Sequence, residues 1–264
     1  MDPSDPAVPG LLRRGRMEVT GRLVDASNTT LYGTVSADGV DLQCVYKPVR
    51  GERPLWDFPD GTLAGREVAA YLVSEAGGFG VVPPTVLRDG PFGPGMVQAW
   101  VDIDDERELV DVCAPSEVTP GWCGVLRARD GYGELAVLVH ADTPELRAMA
   151  AFDVVANNAD RKGGHVLAGV DGRTYGVDHG LCLHVEDKLR TVLWGWVGKP
   201  LPAEVCAMLG RLRAALDAGV GEEIGEHITR REVKALANRV AGLLEEGRYP
   251  EPSGYGPAIP WPAF

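Results

Sequence analysis

Three consecutive segments near the start of the chain alternate apolar and polar residues, and this period of two constrains the fold more than any other feature. They are "MEVTGRLVDA" (17–26), "TLYGTVSA" (30–37) and "VDLQCVYKPV" (40–49), with an Asp38-Gly39 hairpin signal between the second and third. Strict alternation places one face of each segment against a core and the other toward solvent or a cleft, so the three segments read as an antiparallel meander. "TLAGREVAAYLVSEAGG" (62–78) then reads as a helix stopped by Gly77-Gly78, with Leu63, Val68, Tyr71 and Leu72 near one face. "VVPPTVLRDG" and "PGMVQAWVD" add two strands around a Pro/Gly turn.

Beyond Val101 the texture turns helical. "IDDERELVDVC" (103–113) and "ELAVLVHAD" (134–142) read as short helices. "TPELRAMAAFDVVANN" (143–158) reads as a helix with Thr143 as cap, Pro144 in the first turn and Glu145 suited to the dipole. "HVLAGVDGRTYGVDHG" (165–180) reads as two short strands around Asp171-Gly172, with Asp171 serving the turn; 201–247 is mainly helical. The expected fold is α+β, a two-lobed protein-kinase-like fold with a β-rich N-lobe and a mainly helical C-lobe. Its expected boundaries are a flexible N-terminus at 1–16, an N-lobe at 17–100, a C-lobe at 101–247 and an extended Pro-rich tail at 248–264.

Charge and cysteine usage limit the partners. The net charge of −12 opposes broad binding to nucleic acid or anionic lipid, and no apolar run is long enough to span a bilayer. Five scattered cysteines without a CxxC pair, and no apolar stretch of signal-peptide length at the start, predict a reduced, cytoplasmic protein.

Four charged residues fall in an informative order: Lys47 near a strand end, Glu67 in the next helix, Asp160 in a loop after a helix, and Asp178 after a strand. These are the charged parts of phosphoryl transfer from ATP: a lysine on the phosphates, a glutamate holding it, an aspartate orienting the acceptor hydroxyl, and an aspartate on a divalent metal, Mg or Mn. The loop "NNADRKGGHV" (157–166) adds weight, since Asn157, Asn158 and Asp160 are costly at a helix end unless capped or functional.

"FDVVANNADRKGGHVL" followed by "YGVDHG" resembles the catalytic and metal-binding segments of the phosphatidylinositol 3-/4-kinase-related superfamily, which includes the HipA-like bacterial atypical kinases. "VYKPVRGERPLWDFPDGTLAGREVAAYLV" resembles the lysine-to-helix segment of its bacterial members, in particular an actinobacterial group; the resemblance runs from about Met17 to Val197. It implies that Lys47 contacts phosphate, Glu67 pairs with it, Asp160 is the catalytic aspartate and Asp178 the metal aspartate. It also places a phosphate-covering loop at Ser27 and Asn28, where a plain turn is the alternative, and an inter-lobe linker whose backbone around Gln98 and Val101 meets adenine. The chain departs from the family pattern twice. His165 stands where a metal-binding Asn is usual, and imidazole favours Mn over Mg. Lys162 stands where some relatives place a catalytic His, and a lysine there suits the γ-phosphate.

The expected function is an ATP-dependent phosphotransferase acting on a hydroxyl of a protein or a small polyol. Two alternatives stay open: a nucleotide-binding pseudokinase, and a metal-dependent hydrolase built on His165, Asp178, His179 and His184.

Overall fold

The computed structural model describes residues 3–23, 28–129 and 131–264. The alternating segments form an antiparallel five-stranded sheet in the order β1-β2-β3-β5-β4, comprising β1 (Arg16–Leu23), β2 (Thr30–Ala37), β3 (Val40–Pro48), β4 (Thr85–Gly90) and β5 (Gly93–Ala99). The predicted Asp38-Gly39 turn joins β2 to β3 with both residues at positive φ, 52° and 78°, as a tight hairpin requires. Leu31, Val35, Leu42, Cys44, Tyr46 and Val97 fill one face of the sheet. Helix α2 (Leu63–Gly77) packs Ala64 and Val68 against Met96 of β5. Its ends follow the sequence: Thr62 Oγ1 accepts from Gly65 N, and Gly78 closes the helix at φ 67°.

Residues 8–14 form a helix where the sequence suggests a flexible lead-in. Helix α1 (Val8–Arg14) buries Val8 and Leu12 completely under the sheet, and Arg88 donates to the carbonyls of Leu12 and Gly15. The apolar spacing of Val8 and Leu12, four residues apart, is one helical turn.

A second correction concerns 103–142. In place of two short helices stands a three-stranded antiparallel sheet, ordered β6-β8-β7, from β6 (Val110–Cys113), β7 (Trp122–Arg129) and β8 (Leu135–Ala141). A run such as "AVLVH" suits either state by itself; pairing on both edges of β8 and burial of Val137, Leu138 and Val139 decide for a strand.

The remainder is largely helical: α3 (Pro144–Ala156), α4 (Ala203–Ala215), the single turn α5 (Gly221–Ile224) and α6 (Arg230–Glu246). A short hairpin, β9 (Val166–Ala168) with β10 (Thr174–Gly176), follows α3, and Asp171 serves its turn as expected, accepting from Arg173 N and Tyr175 Oη. The main core runs through α2, α3, α4 and α6, with Phe152, Trp196, Leu209, Leu212 and Leu236 among its buried members. Mixed α/β structure, β-rich at the start and helical toward the end, is the architecture that frames the cleft described next. No helix among the described residues is long and apolar enough to cross a membrane, and all five cysteines are free.

Candidate active site

Alternation along β3 sends Leu42, Cys44 and Tyr46 into the core and Val45 and Lys47 to the opposite face. That face lines a cleft of about 680 Å³, whose other wall carries Asp160, Lys162, His165 and Asp178. Lys47 Nζ lies 2.6 Å from Glu67 Oε1 and 2.7 Å from Asp178 Oδ1. The second Glu67 oxygen accepts the backbone N–H of His179 at 2.9 Å. One buried carboxylate on α2 therefore ties the strand lysine to the loop that carries Asp178. Burial disfavours the Lys47 ammonium, yet Asp178 and Glu67 outweigh it and raise its pKa. The same ammonium holds the Asp178 carboxyl far below its usual range, while burial pushes Glu67 upward.

The loop after α3 is held by its asparagines. Asn157 ends the helix in the left-handed conformation, φ 50°, donates Nδ2 to the carbonyls of His184 and Glu186, and accepts from Lys188 N. Asn158 Oδ1 accepts from Asp160 N at 3.0 Å and its amide donates to Asp153. Asp160 reaches the cleft with its carboxylate 3.6 Å from Lys162 Nζ; burial raises its pKa, and Asp178 adds to the rise. His165 Nδ1 meets the Asp160 carbonyl at 2.9 Å, which requires the proton on Nδ1 and leaves a lone pair on Nε2. Nε2 faces Asp178 Oδ2 at 3.6 Å. These are the two side-chain acceptors that the phosphoryl-transfer reading assigns to a divalent metal. Asp178 itself is at φ 61°, a strained conformation for a non-glycine residue of the kind that clusters at functional sites.

The sequence reading overlooked the pair that holds this loop together. Arg161 is wholly buried, bonds Asp153 through Nε and Nη2 at 2.9–3.1 Å, and donates to the carbonyls of His165 and Val177 and to His179 Nε2. Asp153 also accepts from Thr191 Oγ1 and Asn158. The signal was a lone carboxylate inside the apolar run "AMAAFDVVA", which demands a buried partner. Glu52 was overlooked too; its two oxygens accept Leu63 N and Ala64 N at the start of α2, the helix that carries Glu67.

The remaining candidates are placed as follows. Asn28 lines the cleft and accepts Arg53 N through Oδ1, while Ser27 lies outside the described residues. Gln98 sits within β5 between Val45 and Thr85 and donates its amide to Thr85 Oγ1; it lines the cleft wall, and the chain leaves the sheet at Val101. The N–H groups of Ala99 and Trp100 are taken by Pro84 and Gln43. The described residues hold no group of three or more His, Cys, Asp or Glu placed for a metal, which bears equally on the hydrolase alternative and on the metal of the phosphotransferase reading. His179 Nε2 is engaged by Arg161, and His184 meets Phe58 edge to face, with Nδ1 accepting from Glu186 N.

All five histidines share one electrostatic consequence. Burial lowers the pKa of His140, His165, His179, His184 and His227 from 6.5, and takes His165 to about 4. Unfolded chains bind more protons than folded ones between those values, so the contribution is full above pH 6.5 and is lost as pH falls toward 4. The raised carboxyls of Glu67, Glu75 and Asp160 act in the opposite sense at the lower end. Melting temperature should be several degrees lower at pH 5.5 than at pH 7.5, and equal values would sink this assignment of neutral histidines.

No family model matches the sequence. Protein Rv2133c of Mycobacterium tuberculosis is 51% identical over 263 residues, spanning 96% of this chain and 94% of its own length. Among solved structures, the crystal structure of a Helicobacter pylori proinflammatory kinase, CtkA, superposes with a TM-score of 0.46 at 9% identity, covering 90% of this chain and 94% of that one.

Proposed function

We propose that this chain, which belongs to the family of the mycobacterial protein Rv2133c, is an ATP-dependent phosphotransferase with a two-lobed kinase-like fold. The observation that carries the proposal is the convergence of Lys47, Glu67 and Asp178, 20 and 131 residues from Lys47 in sequence, within 2.7 Å contacts at the wall of one cleft that also holds Asp160. A salt bridge half-open in a 680 Å³ cleft with a second carboxylate nearby is the kind of arrangement from which a functional site is inferred.

In this reading Lys47 contacts the phosphates, held by Glu67, whose second oxygen keeps the Asp178 loop in register. The Asp178 and His165 acceptors would hold Mg or Mn, which supplies neutralisation of phosphate charge when bound. Asp160, whose pKa is raised by burial, accepts the proton of the acceptor hydroxyl. Lys162, 3.6 Å from Asp160, places a compact cation beside the transferred group. Val101 and the adjoining backbone would meet adenine. The chain's charge of −12 favours a protein hydroxyl or a soluble polyol over a lipid headgroup in a membrane.

The test separates binding from turnover. MgATP should raise the melting temperature of the wild-type chain, since a ligand at 100 times its Kd stabilises by ~2.7 kcal/mol. Lys47→Ala should lose most of that rise. An equal rise in the variant would remove Lys47 from the nucleotide site. ATP bound without consumption in the presence of protein and polyol acceptors would assign a nucleotide sensor in place of a kinase.

A further inference from the structure

The segment Ala258–Phe264 crosses the molecule from the 190–194 loop to the catalytic loop and is fastened at both. At the first point, Ala258 O accepts Thr191 N at 3.1 Å and Trp194 Nε1 at 2.9 Å. At the second, Ala263 O accepts Gly163 N at 2.7 Å, and the Phe264 ring lies over Gly163 so closely that a Cβ there would stand 2.3 Å from Cε1. Ile259 and Ala263 pack against the main core and Pro260 is buried between them. Meanwhile the 190–192 backbone clasps Arg161 from its own side: Arg161 N donates to Arg190 O at 3.0 Å, and Val192 N to Arg161 O at 3.1 Å.

Lys162 is thus the residue between two clamped neighbours. Arg161 is fixed by 190–192 and by Asp153, Gly163 by the strap. Glycine at 163 is required by the close approach of Phe264, not by its backbone angles, since no positive φ occurs there. Phe264 is about half exposed, and its ring lies against Gly163 of the loop.

We propose that the 258–264 strap is a positioning element of the active site, holding Gly163 so that Lys162 and Asp160 face the cleft in the orientation needed for transfer. The kinetic part of this proposal rests on the phosphotransferase reading; the coupling of strap to loop does not. Phe264→Ala should leave the ATP-induced rise in melting temperature within about a quarter of its wild-type size, because Lys47, Glu67 and Asp178 do not touch the strap. It should lower kcat roughly 10- to 100-fold, the order expected when a reacting group is misplaced by about 1 Å. Gly163→Ala should be more severe, and the double variant Gly163→Ala/Phe264→Ala should regain the activity of Phe264→Ala alone, because the obstructing ring is gone. Hydrogen exchange is measured on the same proteins, in peptides covering residues 157–166. Exchange there should accelerate at least about tenfold in Phe264→Ala, with the five-stranded sheet unchanged. Should Phe264→Ala not fold, a conservative Phe264→Leu is read in the same way with a smaller effect. Unchanged exchange in 157–166 overturns the strap whatever the activity. Faster exchange with kcat within twofold of wild type overturns its positioning role. A wild-type chain without turnover, but with strap-dependent exchange, would count against the phosphotransferase reading alone.

Discussion

Asp160→Ala should consume ATP at least about a hundredfold more slowly than the wild-type chain in the presence of an acceptor, while binding ATP within about threefold of it. A positioned general base contributes ~10²–10⁴ in rate, and its interaction with the acceptor proton develops in the transition state, so removal lowers kcat without weakening ground-state nucleotide binding. The geometry favours this separation. Asp160 stands on the far side of the cleft from β3, its side chain pairs with Lys162 at 3.6 Å, and its backbone is fixed independently by Asn158 and by His165. Asp178→Ala should behave differently, losing binding as well, because Asp178 contacts Lys47 directly and faces His165. Equal loss of ATP binding in the two variants would show that Asp160 holds the nucleotide and is not the base.

The second large effect is on stability. Arg161→Ala should lower the free energy of unfolding by ~3–5 kcal/mol, because it leaves the Asp153 carboxylate buried without its counter-charge. That is a large fraction of the stability of an ordinary domain, ~5–15 kcal/mol. Three further bonds go with it, to the carbonyls of His165 and Val177 and to His179. The paired change Asp153→Leu/Arg161→Met should recover part of the loss, since no isolated charge is then left in the core. Urea unfolding of the wild-type chain and the two variants checks this. A cost under ~1 kcal/mol for Arg161→Ala would mean that water or another cation reaches Asp153 in the variant.

Much of the site could be read before any coordinates. Lys47 could be placed on the cleft face of its strand because alternation is a property of the backbone, and Tyr46 and Lys47 must point opposite ways. Thr143, Gly78 and the Asp38-Gly39 turn were legible for the same reason: caps and tight turns are set by residues within three or four positions of each other. The order of Lys47, Glu67, Asp160 and Asp178 singled out four charged residues that the folded chain brings to the lining of one cleft.

Contacts between distant segments decided the rest. Whether "ELAVLVHAD" is strand or helix depends on partners as far as 30 residues away, and the pairing with Val110–Cys113 and Trp122–Arg129 resolves it. The burial of α1 depends on a sheet that forms later in the chain. Arg161 became the organiser of the site only when Asp153, His179 and the 190–192 backbone converged on it. His165 acquired a defined tautomer from the Asp160 carbonyl. The tail, which composition presented as an extended Pro-rich surface segment, is fastened to Gly163 and Thr191 across 100 and 67 residues of sequence. Local sequence determines backbone direction, caps and the chemical types available, because those act over a few bonds. Which charges meet, which proton sits on which nitrogen and which loop is held are consequences of long-range packing, since each depends on groups that only the folded chain brings within reach.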